Sequence, residues 1–157
     1  TVAMGMLVFW SKEPLNNQKV ESFLQQSSLQ AIAIAQPELA PYGEQAKAWL
    51  QKRNAYESIK AKLIYGESVG KVNQYIYAQS VDAAFTAVSA LHAEQLQGMG
   101  YWQPLEQASD AGIPHGGALI RYGTTKERQA ARHFFTYLFS PKSRTIFQAF
   151  GYGLPDS

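Results

Sequence analysis

The chain has 157 residues, enough for one ordinary domain, and its 46% hydrophobic and 17% charged residues are typical of a folded globular protein. Its net charge is only +2, from 14 basic and 12 acidic residues, and the basic stripe of a nucleic-acid-binding protein is not seen. The absence of cysteine excludes disulfide scaffolds, thiolate metal sites and cysteine nucleophiles.

Short apolar runs alternate with amphipathic segments along the first 120 residues. The apolar runs predict strands at residues 6–10, 31–35, 63–65, 82–88, 101–102 and 117–122. Apolar residues spaced three and four apart predict helices at residues 20–24, 42–53, 69–76 and 91–96. Residues 109–117 are polar and rich in Gly and Pro, which predicts a loop. This alternation favours an α/β fold with a largely parallel sheet flanked by helices.

The C-terminal part has the sequence signals of helix ends. Thr124 and Glu127 fit a capping box, and Ser140 followed by Pro141 fits a second helix start. Gly151 fits the glycine that closes the last helix. The helix after the capping box has an apolar stripe that we expect to be buried, made of Ala131, Phe134, Phe135 and Leu138.

Two segments share a design of buried strand, tight turn and amphipathic helix. One helix starts at Pro41, so that Tyr42 and Gly43 are expected to offer backbone N–H groups; the other starts after Gly66, with Ser68 and Val69 at its first turn. A helix start carries unpaired N–H groups and a partial positive charge. Two such starts at one edge of a parallel sheet predict a site for a small oxyanion.

Other interpretations of these residues remain open at this stage. Each start, taken alone, is equally typical of an ordinary helix N-terminus, and Glu44 and Glu67 lie close to the expected anion. Metal-binding histidine spacing is absent, and His115, in a Gly-containing loop, is the one histidine that we regard as a catalytic candidate.

The order of the segments resembles the periplasmic molybdate-binding proteins of ABC transporters. The matching sequences are Gly-Met-Leu-Val-Phe-Trp-Ser at 5–11, Ala-Ile-Ala-Ile-Ala-Gln-Pro-Glu-Leu-Ala-Pro-Tyr-Gly at 31–43, Lys-Leu-Ile-Tyr-Gly-Glu-Ser-Val at 62–69, Asp-Ala-Ala-Phe-Thr-Ala-Val-Ser at 82–89, and Phe-Thr-Tyr-Leu-Phe-Ser-Pro-Lys at 135–142 leading to Phe-Gly-Tyr-Gly-Leu-Pro at 150–155. Together they cover nearly the whole chain, and the block ending in Leu-Ala-Pro-Tyr-Gly is the most specific.

The resemblance implies a two-lobed type II periplasmic binding protein that binds molybdate or tungstate through backbone N–H groups and hydroxyls. It places Tyr42 and Val69 at the ligand, with Ala87 at a position where some members carry a tyrosine. It implies no catalytic chemistry and no cofactor. It also implies a periplasmic location and a membrane permease as partner.

The resemblance further implies that residues 6–120 form the second ligand-binding lobe with hinge strands, and that residues 121–157 are helices that normally pack on the first lobe. The resemblance also implies that the N-terminal part of that first lobe is absent from this sequence. We therefore expect the apolar side of the C-terminal helices to favour self-association, and we expect this chain alone to bind the anion weakly.

Three alternative functions would place the chain in other classes of protein. The same fold serves as a ligand-sensing module of transcription regulators, an enzyme would use His115, and a dimerising fold would have no ligand of its own.

Overall fold

In the computed structural model, which describes residues 1–105 and 112–155, the central feature is a five-stranded sheet in the order β4-β3-β5-β2-β6. Its strands are β2 (Leu7–Ser11), β3 (Ile32–Ala35), β4 (Leu63–Gly66), β5 (Ala83–Ala87) and β6 (Tyr101–Pro104). The α-helices that precede or connect these strands are α1 (Val20–Leu24), α2 (Pro41–Lys52), α3 (Tyr56–Ile59) and α4 (Val69–Tyr77). The α/β class predicted from the sequence is confirmed.

The sheet is mixed rather than largely parallel. Strand β3 runs parallel to both β4 and β5, whereas β2 runs antiparallel to β5 and β6. Parallel neighbours need long crossover connections, and α2 to α4 supply them between β3 and β5. Between β5 and β6, the predicted helix at 91–96 is replaced by short 3₁₀ turns, Val88–His92 and Glu94–Leu96.

The two faces of the sheet are covered by different helices. Helix α2 packs on one face, where Trp49 lies 5.5 Å from Phe85 and Phe85 lies 5.1 Å from Phe9, measured between ring centroids. Helix α4 packs on the other face, where Val72 and Ile76 are fully buried. The aromatic rings and branched side chains thus form two separate apolar layers around one sheet.

A second, smaller sheet joins the main sheet to the C-terminal helices. Strand β1 (Ala3–Gly5) pairs antiparallel with β7 (Ile113–His115), and Met4 also exchanges two 2.8 Å backbone hydrogen bonds with Gly153. The prediction of a loop at residues 109–117 is therefore wrong for β7, while residues 109–111 lie outside the described part of the chain. Pro114 argued against a strand in the sequence, but among the described strands β7 pairs with β1 alone, and a proline is tolerated in such an edge strand.

Helices α5 (Thr125–Tyr137) and α6 (Pro141–Ala149) have the predicted caps. Their apolar side is not covered by the described residues: no side chain of α5 is buried, and Phe134 is 62% exposed. The predicted strand at 117–122 is also wrong, because the segment pairs with no described strand and Ile120 is 83% exposed. No helix of the described residues is both long and apolar enough to cross a membrane.

Candidate anion-binding site

The start of α2 differs from the prediction in one respect. The backbone N–H of Tyr42 makes no hydrogen bond within residues 1–105 and 112–155, as predicted for an anion donor. The N–H of Gly43, however, donates to the carbonyl of Ala40 at 2.9 Å. Gly43 was predicted to offer a second donor, and that prediction is wrong because a tight first turn already occupies its amide.

Gly43 has a packing role instead. A Cβ atom at this position would lie 2.1 Å from the carbonyl oxygen of Ala35, at the end of β3. Only glycine therefore lets the start of α2 lie directly against the strand that precedes it. Ala40, the N-cap residue, offers no side-chain hydrogen bond, so close packing fixes the position of this helix start.

The start of α4 is fixed by its cap. The Ser68 hydroxyl oxygen accepts the backbone N–H of Lys71 at 3.2 Å, so the ordinary capped-helix interpretation is correct for the side chain. The N–H groups of Val69 and Gly70 have no partner among the described residues. The O–H hydrogen of Ser68 also makes no hydrogen bond there. The turn therefore keeps three donors available.

The sheet brings the two helix starts to one edge. Ala35 and Gly66, the last residues of β3 and β4, are direct partners in the parallel pair, and the N–H of Gln36 donates to the Gly66 carbonyl at 2.6 Å. Strand β5 ends at the same edge, with Ala87. Carboxyl ends of neighbouring parallel strands lie about 4.8 Å apart, which a small tetrahedral anion can bridge.

Three of the predicted site residues share one apolar cluster. Tyr42 and Ala87 belong to the layer under α2, and the half-buried Val69 packs against that layer although the rest of α4 covers the opposite face. Ala87 is 4% exposed and carries no hydroxyl, so its side chain adds apolar contact only. Tyr42, Val69 and Ala87 thus lie in or against the same apolar layer, and their role in binding a ligand stays a prediction.

The charges near this edge are solvated. Glu44 and Glu67 are both exposed, which weakens their repulsion of an anion. The ammonium of Lys71 contacts the side-chain oxygen of Gln74 at 3.2 Å, away from the helix start. The donors at the site are therefore neutral N–H and O–H groups. No group of three or more possible metal ligands occurs among the described residues.

One contact of the site was not predicted from the sequence. The Tyr42 hydroxyl lies 3.3 Å from Nε2 of His115, 73 residues further along the chain, and the His115 ring is also 5.4 Å from that of Tyr152. Burial, followed by the nearby Tyr152, raises the pKa of Tyr42 to about 12. The Tyr42 hydroxyl therefore stays protonated at neutral pH. His115 was considered as a catalytic residue, but the structure places it on β7 between two tyrosine rings.

The chain is similar to known solute-binding proteins over its whole length. The sequence profile of the family described as bacterial extracellular solute-binding protein matches residues 1–153. The molybdate-binding protein ModA of Azotobacter vinelandii is 31% identical over 155 residues, which cover 98% of this chain and 60% of that protein. ModA of Rhodobacter capsulatus is 29% identical and is covered to 58%. The chain thus spans about 60% of the length of these relatives.

The fold agrees with this similarity. The structure of the periplasmic molybdate-binding protein of A. vinelandii superposes with a TM-score of 0.76 at 23% identity, covering 99% of this chain and 68% of that one. The resemblance indicated by the sequence motifs is confirmed, and the relatives give no support to the regulator alternative. The family is described by solute binding and the two relatives by molybdate binding, which supports the expectation that the chain is not an enzyme. The chain belongs to the bacterial extracellular solute-binding protein family.

Proposed function

We propose that this chain is the ligand-binding part of the periplasmic solute-binding component of a bacterial ABC importer, and that its ligand is molybdate or a similar tetrahedral oxyanion such as tungstate. The observation that carries the proposal is the pair of helix starts at one sheet edge, where the N–H groups of Tyr42 and Val69 have no partner in the described residues. The names of the similar proteins from A. vinelandii and R. capsulatus support the choice of molybdate.

The chemistry of the donors favours a fully deprotonated anion. The backbone N–H groups can only donate to the ligand, and the O–H of Ser68 can donate as well while its oxygen accepts the N–H of Lys71. A protonated oxyanion would need an acceptor, and the backbone N–H groups offer none. Molybdate and tungstate are fully deprotonated at neutral pH, and sulfate is then separated from them mainly by its smaller size.

Transport follows from closure around the anion. The ligand is held between the sheet edge described here and the first lobe, and the closed form is recognised by a membrane permease. Neutral dipoles suit this task, because they hold a dianion without the strong attraction of a buried cation and so allow its release.

The proposal is tested by placing a charge at the start of α4 in the complete natural chain. Asn and Asp cap a helix about as well as Ser. Ser68→Asn therefore preserves the cap, whereas Ser68→Asp preserves the cap and adds a negative charge next to Val69 N–H. Two like charges about 4 Å apart near a protein surface repel by roughly 4 kcal/mol before screening by salt. Because salt screens part of this repulsion, we expect Ser68→Asp to weaken molybdate binding about 100-fold relative to Ser68→Asn.

The matched control is Ser140→Asp. Ser140 caps α6 in the same way, with its hydroxyl accepting the N–H of Ser143 at 3.2 Å, but lies on another helix. Isothermal titration with molybdate, tungstate, sulfate and phosphate measures the anion affinities of all variants. Equal molybdate affinity of Ser68→Asp and Ser68→Asn would show that the start of α4 does not hold the anion.

A further inference from the structure

The hydroxyl of Tyr42 connects the candidate site to the small sheet at the junction. The ring of Tyr42 belongs to the apolar layer under α2, while its hydroxyl reaches the backbone of Gly5 in β1. A Cβ atom on Gly5 would lie 2.1 Å from the Tyr42 hydroxyl oxygen and 2.7 Å from Nε2 of His115. Glycine at position 5 is therefore what allows the tyrosine and the histidine to meet on β1.

His115 is held from three sides at this point. Its backbone carbonyl accepts the N–H of Val2 at 2.7 Å, its ring meets Tyr152 edge-on, and its Nε2 lies 3.3 Å from the Tyr42 hydroxyl. Tyr152 precedes Gly153, which is bonded to Met4 of β1. The histidine is thus attached to the strands that link the main sheet to α5 and α6.

The start of α2 depends on such contacts more than the start of α4 does. Ser68 caps α4, whereas Ala40 gives α2 no side-chain cap. The position of the Tyr42 N–H is therefore set by the packing of Gly43 on Ala35 and by where the Tyr42 side chain is anchored.

We propose that His115 is a positioning residue of the anion site, which holds Tyr42 through Nε2 and couples the geometry of the β1–β7 junction to the Tyr42 N–H. This inference rests on the proposed function, because it concerns the same site. In this proposal His115 acts through Tyr42 and does not contact the anion. Its consequence is that movement at the junction, where the strands lead to the C-terminal helices, changes the affinity of the site.

Two substitutions separate the hydrogen bond from the packing. His115→Phe preserves an aromatic ring against Tyr152 but removes the hydrogen bond to Tyr42, whereas His115→Gln retains a donor and acceptor near the Nε2 position and removes the ring. A neutral hydrogen bond contributes about 0.5–1.5 kcal/mol, so we expect His115→Phe to raise the Kd for molybdate roughly three- to tenfold. We expect His115→Gln to stay within about twofold of the natural chain.

A double-mutant cycle shows whether the effect passes through Tyr42. Tyr42→Phe alone should match His115→Phe, and the double variant should be no weaker than either single one, because all three lose the same hydrogen bond. His92→Phe is the matched control, since His92 also stacks on an aromatic ring, 5.5 Å from Phe150, yet is not bonded to Tyr42. It should bind molybdate like the natural chain.

The outcomes distinguish the two proposals. Titration of the complete natural chain gives the Kd, and thermal unfolding without ligand reports any general loss of structure. If the natural chain binds and His115→Phe binds equally well, or if His115→Gln is as weak as His115→Phe, His115 does not position the site and only this inference fails. If the natural chain binds none of molybdate, tungstate, sulfate and phosphate, the proposed function fails and this inference fails with it.

Discussion

The two helix starts at the candidate site reach the same position by different means. Helix α2 has no side-chain cap and is fixed by contact, with Gly43 pressed on the end of β3 and Tyr42 only 7% exposed. Helix α4 is fixed by the Ser68 cap, and Ser68 and Gly70 are exposed at its start. A packed start tolerates no added atom, whereas a capped start tolerates added atoms but depends on one hydrogen bond.

This contrast also shows how the turns of the proposed site are held in place. An N–H that binds an anion has no internal partner, so the turn around it must be held by other groups. At α2 those groups are apolar side chains and backbone atoms of β3. At α4 the serine oxygen takes up the Lys71 N–H and leaves that of Val69 available.

Gly43→Ala should have the largest effect. The new Cβ would lie 2.1 Å from the Ala35 oxygen, 2.6 Å from the Ala35 carbonyl carbon and 2.9 Å from the Gln36 carbonyl carbon, and backbone atoms cannot rotate away. Overpacking of this kind costs about 1–3 kcal/mol, and we expect the upper end of that range. Urea unfolding followed by tryptophan fluorescence measures the loss, and titration with molybdate should show the site abolished. Unchanged stability would mean that α2 is not held by packing.

The role of Gly43 illustrates what could be predicted from the sequence. Pro41, Gly43, Ser68 and Gly70 mark the two turns in the linear sequence, so the helix starts and their position after strands were found correctly. Whether Gly43 faces a ligand or a strand depends on which backbone lies beneath it. That is a tertiary contact, and the spacing of residues carries no signal for it.

The other features that the sequence did not predict also depend on tertiary contacts. The contact between Tyr42 and His115 joins residues 73 positions apart, and the sequence offered only a histidine in a Gly-containing loop. Residues 117–122 have the apolar composition of a strand, but composition does not show whether a partner strand exists. The motif resemblance predicted the fold correctly, because relatives with similar motifs share a tertiary structure, whereas the ligand contacts that it implies stay a prediction.

Alkaline pH tests the burial of Tyr42 directly. The pKa of Tyr42 is raised from 10.0 to about 12, mainly by burial, so the unfolded chain loses this proton at lower pH than the folded chain. The stabilising contribution is therefore complete below pH 10 and is lost as pH rises towards about 12. One proton gives a slope of at most about 1.4 kcal/mol per pH unit.

Tyr42→Phe should lack that contribution. Its free energy of unfolding should fall less steeply with pH than that of the natural chain between pH 10 and about 12. The pKa of Tyr65 is also raised to about 12, first by burial and then by its hydrogen bond to Tyr56, but Tyr65 is present in both chains and cancels in the difference. Identical slopes would show that the Tyr42 hydroxyl is not desolvated at the packed helix start.

Ser68→Ala should reveal the dependence of α4 on its cap. Loss of a serine N-cap costs about 1 kcal/mol, because the N–H of Lys71 loses its side-chain acceptor. Ser68→Asn serves as the control and should remain close to the natural chain. Urea unfolding and hydrogen exchange of the Lys71 amide measure the effect. A loss of several kcal/mol would instead indicate that Ser68 is part of a larger network, and the distinction between a capped and a packed start would fail.

Gly70→Ala should have the smallest effect, and with the opposite sign to Gly43→Ala. The nearest atom to a Cβ at position 70 is the Ser68 hydroxyl oxygen at 3.7 Å, an ordinary contact distance. Replacing a helical glycine by alanine reduces the freedom of the unfolded chain, which stabilises by up to about 0.5–1 kcal/mol. The backbone N–H of residue 70 remains in place, so molybdate affinity should not change. Gly43→Ala and Gly70→Ala add the same methyl group, so any general effect of replacing glycine by alanine is common to both variants. A difference in sign between them therefore reports the packing of α2 against β3. If both variants lose stability, α4 is packed as closely as α2.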